Sequence, residues 1–227
     1  MTHVSRPALI VNARLGSTRC RNKILRPFAD ASLIEIALDK MSRLDTDLQL
    51  YFGAGEPELI ALAANFPRVQ LVSRPASALN TDGPPSRVHA HLRELPETHF
   101  LVINACHPLV PGELWLDAIR HFETHRPKSL TAVVRNHGWF YDQSGQSLNC
   151  RDQQVSATQD SPWIYEVAHA FHLLERDRFF ALEAPWTNGP ADPELFEIPR
   201  HCAWDIDTED QFLAVERLYE ATMPINV

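Results

Sequence analysis

An α/β fold with a mostly parallel sheet is predicted by three features of the chain. Short apolar runs recur along it, helical patterns separate them, and its length suits one large domain. The runs are Ala8–Val11, Leu48–Phe52, Val69–Val72, Phe100–Ile103 and Leu130–Val134, each the length of a buried strand. Helical stretches fall between them at about 32–44, 57–65, 85–95 and 112–125. A strand, a helix and a second strand make a crossover, and crossovers leave their strands parallel.

The elements can be justified in order. Leu33, Ile34, Ala37, Leu38 and Met41 recur on one helical face, and Ser32 with Glu35 forms a capping box at its start. Pro111 suits the first turn of the helix at 112–125. From Asn136 to about Trp163 the crossover pattern stops. His137-Gly138-Trp139-Phe140-Tyr141 and Ser144-Gly145 read as hairpins and loops. This segment, about 136–163, is expected to be an inserted arm or lid on a single domain spanning 1–227. An arm in a dimer would explain the aromatic run 139–141, which is otherwise costly to expose. Tyr165–Leu174 reads as a further strand and Pro185–Pro199 as a long surface connection. Thr208 and Gln211 cap a last helix whose apolar face carries Phe212, Val215, Leu218 and Tyr219.

Composition narrows the class. The 227 residues are 44% apolar and 22% charged, which excludes global disorder. Twenty-one Lys and Arg against 29 Asp and Glu give a net charge of −8, so no basic footprint for nucleic acid is present. No apolar run approaches the roughly 20 residues that cross a bilayer, and the first residues lack a signal-peptide pattern. Cys20, Cys106, Cys150 and Cys202 are dispersed, with no C-x-x-C pair. A cytoplasmic enzyme without nucleic-acid or membrane partners is expected.

Against that acidic background the segment Arg14–Arg26 contains Arg14, Arg19, Arg21, Lys23 and Arg26 and no acid. It follows the first strand, and ligands gather beyond the carboxyl ends of strands in open parallel sheets. Gly16 permits close backbone approach, Ser17 and Thr18 offer hydroxyls, and Arg14, Arg19 and Lys23 suit a polyphosphate. The loop is neither G-x-x-x-x-G-K-[ST] nor G-x-G-x-x-G. Its bland alternative is a solvated surface loop. Near the other end stands Trp204-Asp205-Ile206-Asp207-Thr208. Residues two apart in extended chain share a side, so Asp205 and Asp207 suit one divalent cation, Mg2+ by their oxygen chemistry. The alternative is that Asp207 only complements the helix N-terminus.

These motifs resemble the acylneuraminate cytidylyltransferase family, with its CMP-Kdo synthetase and spore-coat polysaccharide relatives. The opening A-R-x-G-S-x-R-x-x-x-K is Ala13 to Lys23. The middle contributes Ser73-Arg74-Pro75 with Asp82, and the strand Val102-Ile103-Asn104-Ala105-Cys106-His107-Pro108-Leu109. The closing D-I-D-T-x-x-D is Asp205 to Asp210. The elements occur in family order over nearly the whole chain. The resemblance implies a three-layer nucleotidyltransferase fold, like that of glycosyltransferases of the A type; the homodimer is expected from the aromatic arm. It implies transfer of CMP from CTP to an acidic sugar or similar acidic acceptor, with Mg2+ and loss of pyrophosphate. Carried onto this chain, Arg14, Gly16, Ser17, Arg19, Asn22, Lys23, Arg74 and Asn104 would bind the nucleotide. Lys23, Arg14 and Asp207 would serve catalysis, and Asp205 and Asp207 the metal.

Departures concentrate on the acceptor side. Asn104 stands where sialate enzymes carry Gln, Cys106 where the CMP-Kdo relatives carry a metal-binding Asp, and Val110 where Arg is frequent. The N-G-A-x-Y pattern is reduced to Val167-Ala168-His169-Ala170-Phe171, which argues against an ordinary sialic acid. His107 and His169 are the candidates to meet the acceptor. His169 and His172, three apart on a strand, are expected on opposite faces unless the strand is bulged. Two other readings stand beside this one: a degenerate nucleotide-binding paralogue, and a glycosyltransferase using a nucleotide sugar.

Overall fold

Alternation within the first strand sets up the architecture. In β1 (Ala8–Asn12), Leu9 and Val11 pack on one side of the sheet, Ala8 and Ile10 on the other, and all four are buried. A strand buried on both faces needs helices on both, and three layers result. The computed structural model describes residues 6–79, 83–150 and 157–222; Asp82 lies outside them, as does part of the expected arm, 151–156.

After β1 come the short ribbon β2 (Pro27–Phe28) and β3 (Ala31–Ser32), α1 (Leu33–Arg43), β4 (Leu50–Ala54), α2 (Pro57–Ala63) and β5 (Gln70–Ser73). Next are α3 (Ala76–Leu79), α4 (Pro85–Val88), a 3-10 turn (Ala90–Glu94), β6 (His99–Ile103), α5 (Gly112–His125) and β7 (Ser129–Asn136). The chain ends with β8 (Ile164–Glu175), α6 (Arg176–Leu182), β9 (Glu194–Glu197), a 3-10 turn (Arg200–Ala203) and α7 (Glu209–Thr222). The seven-stranded sheet has the order β5-β4-β1-β6-β8-β7-β9. Only β8 runs against its neighbours, β6 and β7; every other pairing in the sheet is parallel.

The expected α/β class and mostly parallel sheet are therefore present, and all five predicted core strands form. The larger core cluster lies on the Leu9/Val11 face, where the apolar sides of α1, α5 and α7 bury Leu38, Ile119 and Phe212. The smaller one joins Ile10, Tyr51 and Phe100 to Leu92 and Phe179. Both capping boxes form. The Ser32 Oγ accepts from the Glu35 amide at 3.4 Å and donates to the Glu35 carboxylate at 2.6 Å. The Gln211 Oε1 accepts from the amides of Asp207 and Thr208 at 2.8 and 2.9 Å.

Three expectations need correction. The helix at 85–95 is broken into α4 and a separate 3-10 turn. The rings of His89 and His91 at the break bond Asn12 at the end of β1, at 3.1 and 2.8 Å, and this tertiary tie overrides helical propensity. The surface connection 185–199 contains β9, which pairs in parallel with β7. Its four residues Glu-Leu-Phe-Glu are half-covered and carry no apolar run long enough to announce a strand. Finally, β8 is bulged. Thr131 opposes His172 and Val133 opposes Val167, so residues 168–171 all face the single residue Ala132. His169 there has φ of +56°.

In the arm region, Tyr141 bridges Ser147, and the carboxylate of Asp142 accepts from the amides of Ser144 and Gln146 at 2.8 and 2.9 Å. Trp139 and Tyr141 are 49% and 61% exposed. Among the described residues no helix is long and apolar enough to cross a membrane.

Candidate active site

The parallel strands β1 and β6 end side by side, and their last residues open onto a cleft of about 410 Å³. One wall is the basic loop, through Arg14, Ser17, Thr18, Arg19, Cys20 and Lys23. Asn12, Ala13, Asn104, Ala105 and Cys106 form the floor, and Asp205 and Asp207 a second wall that Arg19 and Lys23 meet through Asp207. The two ends of the chain, distant in sequence, thus share one site.

Lys23 is its hub. Its ammonium donates to the Ile206 carbonyl and to Asp207 Oδ1, the latter at 3.0 Å, with only 12% of the side chain exposed. Burial would lower its pKa, but Asp207, by hydrogen bond and charge, and Asp205 raise it above the ordinary lysine value, so it is charged at neutral pH. Arg19 reaches the second oxygen of Asp207 at 2.9 Å and remains 67% exposed. Burial pushes Asp207 upward, yet Lys23 and Arg19 hold it below the usual carboxylate range. Asp205 goes the other way: burial and then the charge of Asp207 raise it, against the pull of Lys23. Cys106 is a buried thiol pushed up to about 11 by burial, and it is protonated beside Lys23.

The second wall is fixed from both directions. The Ile206 amide donates to the Cys106 carbonyl at 3.1 Å, tying the Asp205–Asp207 segment to the loop after β6. The Asn104 Oδ1 accepts from the Cys106 amide at 3.0 Å and holds that loop in a tight turn. Asn104 thus spends its side-chain oxygen on local structure.

Eight of the sequence-nominated residues meet at this cleft: Arg14, Ser17, Thr18, Arg19, Lys23, Asn104, Asp205 and Asp207. Others stand elsewhere. The Gly16 carbonyl accepts from the Arg14 guanidinium at 3.0 Å, and a side chain on Gly16 would crowd that guanidinium. Asn22, at φ +54°, turns the loop, and its carbonyl accepts from the amides of Leu25 and Arg26. Arg74 is 4% exposed behind the floor, donating to the carbonyls of Ala13, Ala78 and Val88. His107 is buried beneath Asp205, with Nε2 3.7 Å from its Oδ1. Burial lowers it to about 4, the backbone of Cys202 opposing, and neither ring nitrogen makes a well-aligned hydrogen bond.

His169 lines a second cavity of about 430 Å³, together with Glu166, Arg200, Trp204 and Gln211. Asp205 lines both cavities, so they adjoin. The expectation that His169 and His172 face apart is overturned by the bulge, which brings their rings to 5.5 Å. Sequence reasoning did not nominate Asn12 or Cys20 for the cleft. The rule that ligands lie beyond strand ends would have found Asn12. Glu166 and Arg200 carried no local signal at all.

The chemistry of the carboxylate pair suits Mg2+. Asp205 Oδ1 is buried without a hydrogen-bond partner, and Mg2+ is commonly held by one or two carboxylates plus substrate phosphates. Among the described residues no set of three or more His, Cys, Asp and Glu forms a complete protein cage.

Comparisons with known proteins bear on the family and the fold. The family profile described as cytidylyltransferase matches residues 8–184. No curated protein matches by sequence. Solved structures share the fold at low identity. A CMP:2-keto-3-deoxy-manno-octonic acid synthetase complexed with CTP superimposes with a TM-score of 0.69 at 10% identity, covering 96% of this chain and 100% of that one. The 4-diphosphocytidyl-2C-methyl-D-erythritol synthase of Anaerococcus prevotii gives 0.63 at 11%, covering 94% and 95%. A cytidylyltransferase from Leptospira borgpetersenii serovar Hardjo-bovis gives 0.61 at 14%, covering 96% and 88%. With the profile spanning most of the chain and the charged cleft lying at the carboxyl ends of its strands, this chain belongs to the cytidylyltransferase family of nucleotidyltransferases.

Proposed function

We propose that this protein transfers the cytidylyl group of CTP to a small acidic acceptor, releasing pyrophosphate. The observation that carries the reading is the meeting of Arg14, Arg19 and Lys23 with Asp205 and Asp207 across one cleft. Transfer at phosphorus needs positioning and charge neutralisation more than covalent help, and this cleft supplies both. Lys23 is largely covered, charged and braced by a carbonyl and a carboxylate, so it offers a preorganised cation that needs little reorganisation. Arg19, being exposed and paired with Asp207 only at its tip, can swing onto incoming phosphate oxygens.

Asp205 and Asp207 would hold Mg2+, which when bound supplies charge neutralisation to the phosphates. The second cavity supports an acidic, polar acceptor. Arg200 offers positive charge, His169 its ring nitrogens, Glu166 and Gln211 suit hydroxyls, and Trp204, 44% exposed, gives a flat apolar face.

The same chain is proposed to act as a homodimer, through the exposed Trp139, Tyr141, Trp163 and Tyr165. Arg135 and Glu197 pair on this surface at 2.6 Å and Arg135 lies over the Trp163 ring. A surface so neutralised fits a second copy of itself better than a charged polymer.

The test is pyrophosphate release from CTP and Mg2+ with 2-keto-3-deoxy sugar acids, N-acylneuraminates and hydroxyalkyl phosphonates. Release should require one acceptor class, and Asp207→Asn should lower it by about 100-fold or more with the circular dichroism spectrum unchanged. Equal release without any acceptor would point to hydrolysis and contradict the proposal.

A further inference from the structure

One residue inside a strand holds a backbone conformation that side chains with a Cβ rarely adopt. His169 has φ of +56° within β8. It sits in the bulge where 168–171 face Ala132 alone. Ala168, Ala170 and Phe171 are buried in the core, and His169 is the one residue of the four that is exposed. The effect of the bulge is to present a single imidazole at the rim of the second cavity. Bulges and left-handed residues of this kind gather where a side chain must be aimed.

The neighbouring groups are already committed. The His107 side chain is wholly buried under Asp205. His172 is bonded through Nδ1 to the Thr131 hydroxyl at 2.8 Å and packs against Trp186. Burial and the surrounding histidines push it to about 3. Glu166 accepts from the Asn136 amide at 3.0 Å. His169 makes a ring contact with His172 and no hydrogen bond among the described residues. It therefore stands on the acceptor side of Asp205 with its ring nitrogens uncommitted.

We propose that His169 is the base that takes the proton of the acceptor hydroxyl during transfer. This rests on the cytidylyltransferase reading given above. In the step, the acceptor oxygen forms a bond to the α-phosphorus of CTP. The bond from that phosphorus to the oxygen bridging the β-phosphorus breaks, and pyrophosphate leaves with the electron pair. The acceptor's proton passes to a ring nitrogen of His169 and from there to solvent.

The backbone itself supplies a clean test. Glycine adopts positive φ without penalty, so His169→Gly should fold and melt at or above the wild-type temperature. Wild type and variant are compared with CTP, Mg2+ and the acceptors named above. The variant should bind CTP within about twofold of wild type by calorimetry and release pyrophosphate about 100-fold more slowly. Added imidazole should restore at least about tenfold of that loss, because it replaces the missing ring in the space left open. Release within about threefold of wild type would overturn the assignment, as would lost CTP binding or a loss that imidazole does not repair. A wild type that binds CTP but transfers to no acceptor would instead overturn the parent reading, and this assignment with it. The two failures are distinct because the first appears only in the variant.

Discussion

Gly53, in β4 beside β1, shows how little room lies behind the cleft floor. A Cβ there would come within 2.1 Å of the Asn12 side-chain oxygen, 3.0 Å of His91 Nε2 and 3.2 Å of Arg74 Cδ. Those atoms belong to one network. The Asn12 amide donates to His89 Nδ1, and its oxygen accepts from His91 Nε2. Burial pushes both rings down to about 3, helped by the charge of Arg74, so both stay neutral and their tautomers are set by Asn12. Gly53→Ala should therefore destabilise the protein by about 1–3 kcal/mol, as an overpacked core does. Urea melts check this; an unchanged midpoint would mean the network yields freely. At this scale the sequence was partly legible. The acid-free loop announced Arg19 and Lys23 because charge clustering is visible in a linear string. Arg74 looked the same but is spent on three carbonyls, which only the tertiary arrangement reveals.

Among the elements, α1 carries an unexpected device. Lys40 in its last turn is largely buried, and its ammonium donates to the carbonyls of Pro108 and of Val110, the latter at 2.8 Å. With the Cys202 thiol on the Leu109 carbonyl at 3.5 Å, three successive carbonyls after the cleft loop are held. Burial pushes Lys40 down to about 8, against the raising influence of Cys202, Glu113 and Asp39. Arg43 pairs with Asp39, and the Tyr219 ring lies 5.8 Å from Nζ. The sign follows from linkage. Below about 8 both folded and unfolded chains hold the proton, and the folded state carries the burial cost of about 3 kcal/mol. Between about 8 and 10.5 the unfolded chain binds more proton, so this contribution to stability rises with pH. Lys40→Met removes the cost but strands two carbonyls, so it should be near neutral at pH about 7 and increasingly destabilising toward pH about 10. Urea melts of both proteins at the two pH values test this; a difference that does not change with pH would refute it. The helix itself was legible from its apolar spacing and capping box, whereas β9 and the β8 bulge were not. Glu-Leu-Phe-Glu gives too short a pattern, and Ala-His-Ala-Phe contains no glycine to mark the kink.

For the whole molecule, the order of alternating elements was enough to yield the sheet, because each crossover confines the next strand to the same direction. The reversal at β8 follows from the segment before it: among its described residues no crossover helix occurs, and chain returning without one comes back antiparallel. That same excursion leaves Trp139, Tyr141 and Trp163 open. Light scattering should give twice the mass of one 25.8 kDa chain, and Trp139→Ser with Tyr141→Ser should shift it toward one. A wild-type monomer at about 10 μM would remove the proposed dimer, since stable interfaces of this kind hold at nanomolar to micromolar concentrations.

Calorimetric titration of CTP in the presence of Mg2+ into wild type and Lys23→Met bears most directly on the cleft as the place where nucleotide is held. The wild type should bind, and loss of the buried ammonium between the triphosphate and Asp207 should weaken binding or abolish it, by about tenfold or more. Equal affinity in the two proteins would place the nucleotide somewhere else and contradict the account.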